Sequence, residues 1–475
     1  MSPRTNYIAT LVLCVLVQIG FAQENSNSLE RILTFEEYLG YVKQHHPLLK
    51  QANLQLSIGE ANLLRARGGF DPKIEIDYNR KKFKKTEYYD QLNATFKIPT
   101  WYGIEFKANF EENMGAFLNR NQTLPDGGLY AAGVSFSVAQ GFLINERMAM
   151  LKKARFFVNQ TKAERDLLVN NLVFEASKAY FKWVEAHNEQ TIYSRFLNNA
   201  EVRFQGVIRS VETGDKAAID TIETRITIQN RRLNLEAARL KMRKAALKAS
   251  NYLWLNDIPL EIQETVLPES PNNSVIESSL YLEEVMNDLE MLTNHPKLRS
   301  LDAKVESLKV DRFLKRNKLL PKLDLQYNFL TPDVDQFNSF NTANYKAGLN
   351  FSFPLFLRKE RGNVRLANLK LQDANFERVS TSLSLQNKIT AINTEINSLQ
   401  KQNVLINNIV KDYETMLRAE ERKFQLGESS VFLINSREQK LLEANLKANT
   451  LQIKSLNANA SLYNALGIPE PAMIP

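Results

Sequence analysis

The chain has 475 residues, 44% of them hydrophobic and 24% charged, a balance that supports folded cores and argues against wholesale disorder. Its formal net charge of +8 comes from Lys and Arg mixed with Glu and Asp along helical stretches. That is the pattern of solvated helix faces, and it speaks against nucleic acid as a partner. No internal stretch approaches the ~20 apolar residues of a membrane-spanning helix.

The first 22 residues read as a secretory signal peptide. Arg4 precedes an apolar run from Ile8 to Ile19, and Gly20-Phe21-Ala22 supplies small residues before a cleavage point at Gln23. Cys14, the only cysteine, lies inside that run behind Leu13, where a lipoprotein signal would need a small residue. The mature chain is therefore expected to carry no lipid, disulfide, thiol nucleophile or thiolate metal site.

A first repeat is expected over 23–254. Phe35 to Arg67 has helical apolar spacing, with Thr34 and Glu37 in capping-box positions and an interruption at His46-Pro47. Between 73 and 138 the period becomes two: Ile74–Tyr78, Leu92–Ile98, Ile104–Phe110 and Ala132–Val138 alternate apolar with polar residues. Such strands suit a soluble sandwich, or an outer-membrane barrel with lipid outside and water within. A helical hairpin should fill 144–254. Asn145 to Val211 contains no proline and would reach ~100 Å at ~1.5 Å per residue. Its apolar stripe, including Leu172, Ala176, Tyr180 and Trp183, calls for neighbouring helices of similar length. Gly214 is placed to end it.

Residues 255–279, with Pro259, Pro268 and Pro271, read as a linker. The same order of elements then returns over 280–467: a helix, strands within 322–353, and a hairpin over 359–466 turning at Gly427. A proline-rich tail occupies 468–475. His46-Pro47-Leu48-Leu49 is answered by His295-Pro296-Lys297-Leu298, and Asp71-Pro72-Lys73-Ile74 by Leu320-Pro321-Lys322-Leu323, both at a spacing of 249 positions. Ala249-Ser250 near Tyr252 is answered by Ala460-Ser461 near Tyr463. A unit of roughly 200 residues is a duplicated domain-sized module rather than a solenoid repeat.

With Phe204 to Gly214, Phe424-Gln425-Leu426-Gly427 and the closing Asn464-Ala465-Leu466-Gly467, the mature chain resembles the TolC family of outer-membrane efflux ducts. The resemblance implies a mainly α fold with a membrane β-barrel part, in which a homotrimer shares one transmembrane β-barrel and one periplasmic α-barrel. It implies an exit duct of a tripartite efflux or type I secretion system, conducting substrates passively through the outer membrane. Its partners would be a periplasmic adaptor (membrane fusion) protein, an inner-membrane pump of the RND or ABC type, and outer-membrane lipid. Physics supplies one part unaided: a few amphipathic strands cannot close a barrel alone, because a free edge in lipid leaves backbone groups unpaired.

Two departures stand out. The family usually has Asn where this chain has His46 and His295. The first half also carries an extra strand pair, Leu92–Ile98 and Ile104–Phe110, joined by Pro99-Thr100-Trp101-Tyr102-Gly103. The pair reads as a hairpin with Trp101 and Tyr102 at a membrane interface, giving six strands per chain. Four strands plus a folded-over surface hairpin is the family's default.

The resemblance places the hairpin turns at the periplasmic entrance, so Gly214, Asp215, Asp220, Glu223, Phe424, Gly427 and Glu428 are candidate gate residues. Asp220 matches an acidic position that the family uses to tie neighbouring helices. The second half puts Leu433 at that offset, which speaks against an aspartate ring there. Phe424 falls where the family often has a gating tyrosine. The alternative, acids held only by the dipole of a first helical turn, stays open. Arg80, Lys81, Lys82, Lys84 and Lys85 follow the first strand and are candidates for lipopolysaccharide phosphates, or else a solvated loop.

The four histidines, His45, His46, His187 and His295, have no cysteine or acid cluster at ligand spacing, so neither metal nor cofactor is expected. His46 and His295 read as capping or packing residues beside proline. No catalytic motif is present, and no enzyme is expected. The rival reading is a soluble periplasmic coiled-coil adaptor or scaffold protein, which would not need amphipathic strands.

Overall fold

Helix length dominates the architecture. The computed structural model describes residues 31–282, 294–335 and 342–468, so the stretch read as a signal peptide and all but the first residue of the expected tail lie outside the described residues. In chain order the elements are β1 (Arg31–Leu33), α1 (Phe35–His45), α2 (Pro47–Arg67), β2 (Lys73–Phe83), β3 (Thr86–Pro99), β4 (Ile104–Met114) and β5 (Leu129–Ser137). There follow α3 (Glu146–Glu212), α4 (Ile219–Ser250), β6 (Trp254–Leu255), β7 (Ile258–Pro259), β8 (Val266–Pro268) and α5 (Asn273–Ser279). The second repeat supplies α6 (Pro296–Asn317), β9 (Lys322–Thr331), β10 (Tyr345–Ser352), α7 (Arg358–Gln425) and α8 (Val431–Leu466). The expected hairpins are therefore present, with long arms of 67 and 68 residues.

The chain divides into two units, and both repeats contribute to each. One comprises Met1–His46, Val173–Leu280 and Glu395–Ala460. Its best-packed region surrounds α1. Thr34 Oγ1 accepts the Glu37 N–H at 3.1 Å, the capping bond read from the sequence. Phe35 and Tyr38 bury their rings against Tyr180, with centroids 5.4 and 5.1 Å away. Tyr180 Oη donates toward Leu33 O at 2.8 Å and lies 3.0 Å from Glu269 O, satisfying a phenol that burial would otherwise penalise. The proline-rich stretch read as a linker is folded into this unit. β6 and β7 form a tight hairpin, β8 pairs in parallel with β1, and Asn272 caps α5 by accepting the Val275 N–H at 2.9 Å. Pro259 and Pro268 terminate short strands, where a missing N–H is tolerated.

The other unit comprises Pro47–Leu172, Tyr281–Thr394 and Ser461–Pro475. It holds one antiparallel sheet in the order β10-β9-β5-β4-β3-β2. All six stretches read as strands are found in it, so the extra pair is part of the sheet. At the helix-facing end Ile144, Met148, Ala149 and Leu314 form one core cluster and Ala66, Leu151 and Ala154 another. Trp101 packs against both and stacks on Phe70 at 5.6 Å. This corrects the expectation of a lipid-interface role for Trp101. The β3–β4 turn lies at the helical end of the sheet, where Asn145 Nδ2 donates to Trp101 O at 3.2 Å. Tyr102 is exposed.

Candidate functional sites on the sheet and at the hairpin turns

Paired residues share a face of a sheet, so register fixes what each face carries. Glu75 pairs with Thr95, Thr95 with Asn109, and Lys107 with Gly133. Ser135 pairs with Gln326, which pairs with Gly348. This face is mainly polar, with Leu129, Ala131 and Leu330 as exceptions toward the end away from the helices, and several of its groups pair with one another. Lys97 pairs with Glu75 and Arg147 with Glu105, while Asn109 Nδ2 donates to Asn93 Oδ1 at 3.1 Å and Ser137 Oγ to Asp324 at 2.6 Å. A depression of about 590 Å³ on this face is lined by Glu105, Lys107, Arg147, Lys322 and Asp324.

The opposite face carries Ile74, Ile76, Phe96, Phe106, Val134, Leu325, Leu349 and Phe351 in the same register. Ile74 is 72% exposed, Leu349 68% and Phe351 62%, a contiguous apolar surface that water would penalise and lipid would not. Toward the end away from the helices, aromatic rings gather on this face. Phe110 lies 4.7 Å from Tyr130, and Tyr327 lies 5.4 Å from Tyr345. Tyr130, Tyr327 and Tyr345 combine an apolar ring with a polar tip, the kind of side chain that concentrates at membrane–water boundaries.

The basic run is a strand end and a turn rather than a loose loop. Arg80 to Lys82 belong to β2, while Lys84 and Lys85 form the two-residue turn with φ of +48° and +63°. Arg80 Nε is engaged by Glu87 at 2.7 Å and Asp90 at 3.3 Å, and Lys81 lies over the Tyr88 ring. Lys84 Nζ lies 5.5 Å from the centre of the Phe83 ring.

Both long helices end in the same way. The Gly214 N–H bonds to Val211 O at 3.1 Å and the Asp215 N–H to Ser210 O at 2.8 Å. The Gly427 N–H bonds to Phe424 O at 3.1 Å and the Glu428 N–H to Lys423 O at 2.9 Å. These are paired Schellman caps, and they require the φ of +81° and +80° that glycine adopts freely. Asp215 also accepts from Thr213 Oγ1 at 2.7 Å. The turns of the two hairpins meet: Glu223 Oε1 accepts from Asn435 Nδ2 at 3.2 Å, and Lys216 Nζ sits 4.0 Å over the Phe424 ring. The Asp220 carboxylate makes no ion pair among the described residues; its main-chain oxygen accepts from Thr224 Oγ1 at 2.6 Å.

Near these turns lies a constellation that the sequence reading missed. Glu438 of α8 is fully buried and takes Arg203 of α3 at 2.7 Å and Arg231 of α4 at 2.5 Å. Arg231 also donates to Phe196 O at 2.6 Å, and Arg203 lies 3.6 Å from Glu421 of α7. Burial pushes the Glu438 carboxyl up, but the two guanidinium groups outweigh it and hold it below the usual carboxylate range. The available signal was an acid on the apolar stripe of α8, between Ile434 and Leu441–Leu442.

The two His-Pro joints are packing sites. His46 lies against Tyr252 and Trp254, and His295 caps α6 by accepting the Lys297 N–H on Nδ1 at 3.0 Å. A capping imidazole does the work of an asparagine side chain at that position. Burial pushes His295 down to about 4 and also lowers His46.

The sheet is mainly polar on one face and apolar on the other, and each repeat supplies a long helical hairpin. The family model described as outer membrane efflux protein matches residues 289–468. The pyoverdine export outer membrane protein OpmQ of Pseudomonas aeruginosa is 21% identical over 352 residues, 71% of this chain and 70% of that protein. The solved structure of the Vibrio cholerae outer membrane protein VceC matches with a TM-score of 0.65 at 14% identity, covering 90% of this chain and 95% of that one. The open-state Neisseria gonorrhoeae MtrE outer membrane channel matches with a TM-score of 0.65 at 15% identity, covering 91% and 88%. The chain is thus similar to outer-membrane efflux proteins, with the family match lying in its second repeat.

Proposed function

We propose that this protein is the outer-membrane exit duct of a tripartite export system, passing solutes passively from periplasm to exterior. The observation that carries this reading is the separation of a mainly polar face from a mainly apolar one across β10-β9-β5-β4-β3-β2, with exceptions such as Leu129, Leu330 and Glu112 toward the end away from the helices. Such a sheet is stable in lipid only when its edges are closed, and closure leaves the polar face around water. Three copies share the barrel and the helical conduit. A periplasmic adaptor grips the hairpin turns, and an inner-membrane pump of the RND or ABC type supplies the energy; a type I secretion assembly would use the duct in the same way.

The turns around Gly214 and Gly427 form the gate. Glu223–Asn435 and Lys216–Phe424 hold the two hairpins of one copy together, and adaptor binding favours a dilated arrangement in which such contacts are exchanged. Asp215, Asp220 and Glu428 offer their carboxylates to neighbouring copies or to the adaptor. The Lys82–Lys85 turn meets lipopolysaccharide phosphates at the outer surface.

Fractionation and planar-bilayer recording test the reading together. Extraction from outer membranes only with detergent, followed by discrete channel currents from the purified protein, is the expected result. Recovery in the soluble periplasmic fraction would instead favour the coiled-coil adaptor or scaffold.

A further inference from the structure

We propose that three copies of this chain close a barrel of eighteen strands, six from each, rather than the twelve that four per copy would give. This rests on the trimeric duct reading above and concerns only how many strands each copy contributes.

The β3–β4 hairpin lies within the sheet, between β2 and β5. β3 pairs with β4 from Asp90↔Met114 to Pro99↔Glu105, and β4 pairs with β5 from Ile104↔Phe136 to Glu111↔Leu129. Its helix-facing end is fixed by the Thr100 N–H to Ile104 O at 2.8 Å, the Asn145 bond to Trp101 O and the Trp101–Phe70 stack. At its far end the ladder continues into the loop, with the Ala116 N–H to Glu87 O at 3.2 Å and the Phe117 N–H to Tyr88 O at 3.0 Å. A hairpin held at both ends in this way is not free to fold over an outer surface. Its side chains also keep the register of the sheet: Lys107 and Asn109 share the polar face, and Phe106 and Phe110 the apolar one.

The two edges are made to meet. β2 and β10 have no outer partner among the described residues, and in lipid that exposes a row of N–H and C=O groups. An even number of antiparallel strands makes β2 and β10 run in opposite directions, so the edge of one copy can continue the ladder of the next. Their chemistry agrees on both faces. β2 offers Ile74, Ile76 and Tyr78 to lipid and Glu75 and Asp77 to water, while β10 offers Phe351, Leu349 and Tyr345 to lipid and Lys346 to water. At ~4.8 Å between strands and a tilt of about 40°, eighteen strands give a barrel ~36 Å across, against ~24 Å for twelve. The outer exit is about 1.5-fold wider, which admits bulkier solutes at that end.

Cysteine pairs in the full mature chain, reconstituted in lipid nanodiscs, distinguish the arrangements without interference from a native thiol. Asp77→Cys with Asn93→Cys joins paired positions of β2 and β3 and should form a disulfide within one copy on mild oxidation. Asp77→Cys with Ser135→Cys would bridge β2 and β5 and should not. Electron microscopy of the same trimers should count eighteen strands. A 77–135 disulfide in place of 77–93, or a twelve-stranded trimer, would overturn this inference and leave the duct intact. A monomer in lipid would overturn the trimeric reading and this inference with it.

Discussion

The two repeats kept their joints and changed their ends. Each carries a His-Pro joint and packs that histidine by burial, and each turns its long helix with the same paired glycine cap. Elsewhere they diverge. The first repeat contributes four strands to the sheet and the second two. Eleven residues beyond the turn glycine, the second repeat buries Glu438 while the first exposes Arg225. Six beyond it, the first has Asp220 and the second Leu433. Joints that set backbone direction tolerate few substitutions, whereas a sheet edge or a helix tip can gain a function on one copy alone.

The largest expected effect lies where the repeats differ most. Glu438→Ala leaves Arg203 and Arg231 facing each other in the packed interior, and removing one partner of a buried ion pair costs ~3–5 kcal/mol. Hydrogen exchange should accelerate in α8 and in the adjoining stretches of α3 and α4. Arg225→Ala, at the equivalent offset, should change exchange little, and equal losses from both variants would refute the asymmetry.

Next comes the joint at the close of the second repeat. Gly467 has φ of +62°, and an added Cβ would lie 2.7 Å from His295 Nε2 and 2.8 Å from Pro296 Cδ. Gly467→Ala should destabilise by ~2–4 kcal/mol, combining left-handed strain with overpacking. Gly214→Ala meets no atom within 4 Å and should lose only the conformational part, ~1–2 kcal/mol. Thermal unfolding of the two variants measures that contrast.

A smaller, pH-dependent effect belongs to His295. Its folded form favours the neutral imidazole, with the value pushed from 6.5 to about 4. The contribution is fully present above 6.5 and is lost as pH falls from 6.5 toward 4, because the unfolded chain takes up the proton first. His295→Asn should keep the cap and flatten the stability profile in that window; an unchanged slope would remove His295 as its source. The smallest effect is expected at the tips. Asp220→Ala should raise single-channel conductance less than twofold by loosening contacts between copies, and no change would take Asp220 out of the gate.

Much of the fold was legible because its signals are local. Alternation marked all six strands, Thr34 and Glu37 marked the start of α1, and Gly214 and Gly427 marked the turns. What escaped depends on residues far apart in sequence. Nothing local in 255–279 shows that Val266–Pro268 pairs with Arg31–Leu33, or that Trp101 points at the helices. The Glu438 site needs three helices before it exists. Among the tip candidates, Glu223 and Phe424 have partners from the other hairpin, while Asp220 has no ionic partner among the described residues.

The central claim is that the polar face of the sheet borders water and its opposite face borders lipid. Single cysteines along β4 in proteoliposomes, probed with a membrane-impermeant thiol reagent, test it most directly. Lys107→Cys and Asn109→Cys should label quickly, and Phe106→Cys and Ala108→Cys should stay protected. Equal labelling at all four positions would contradict the account.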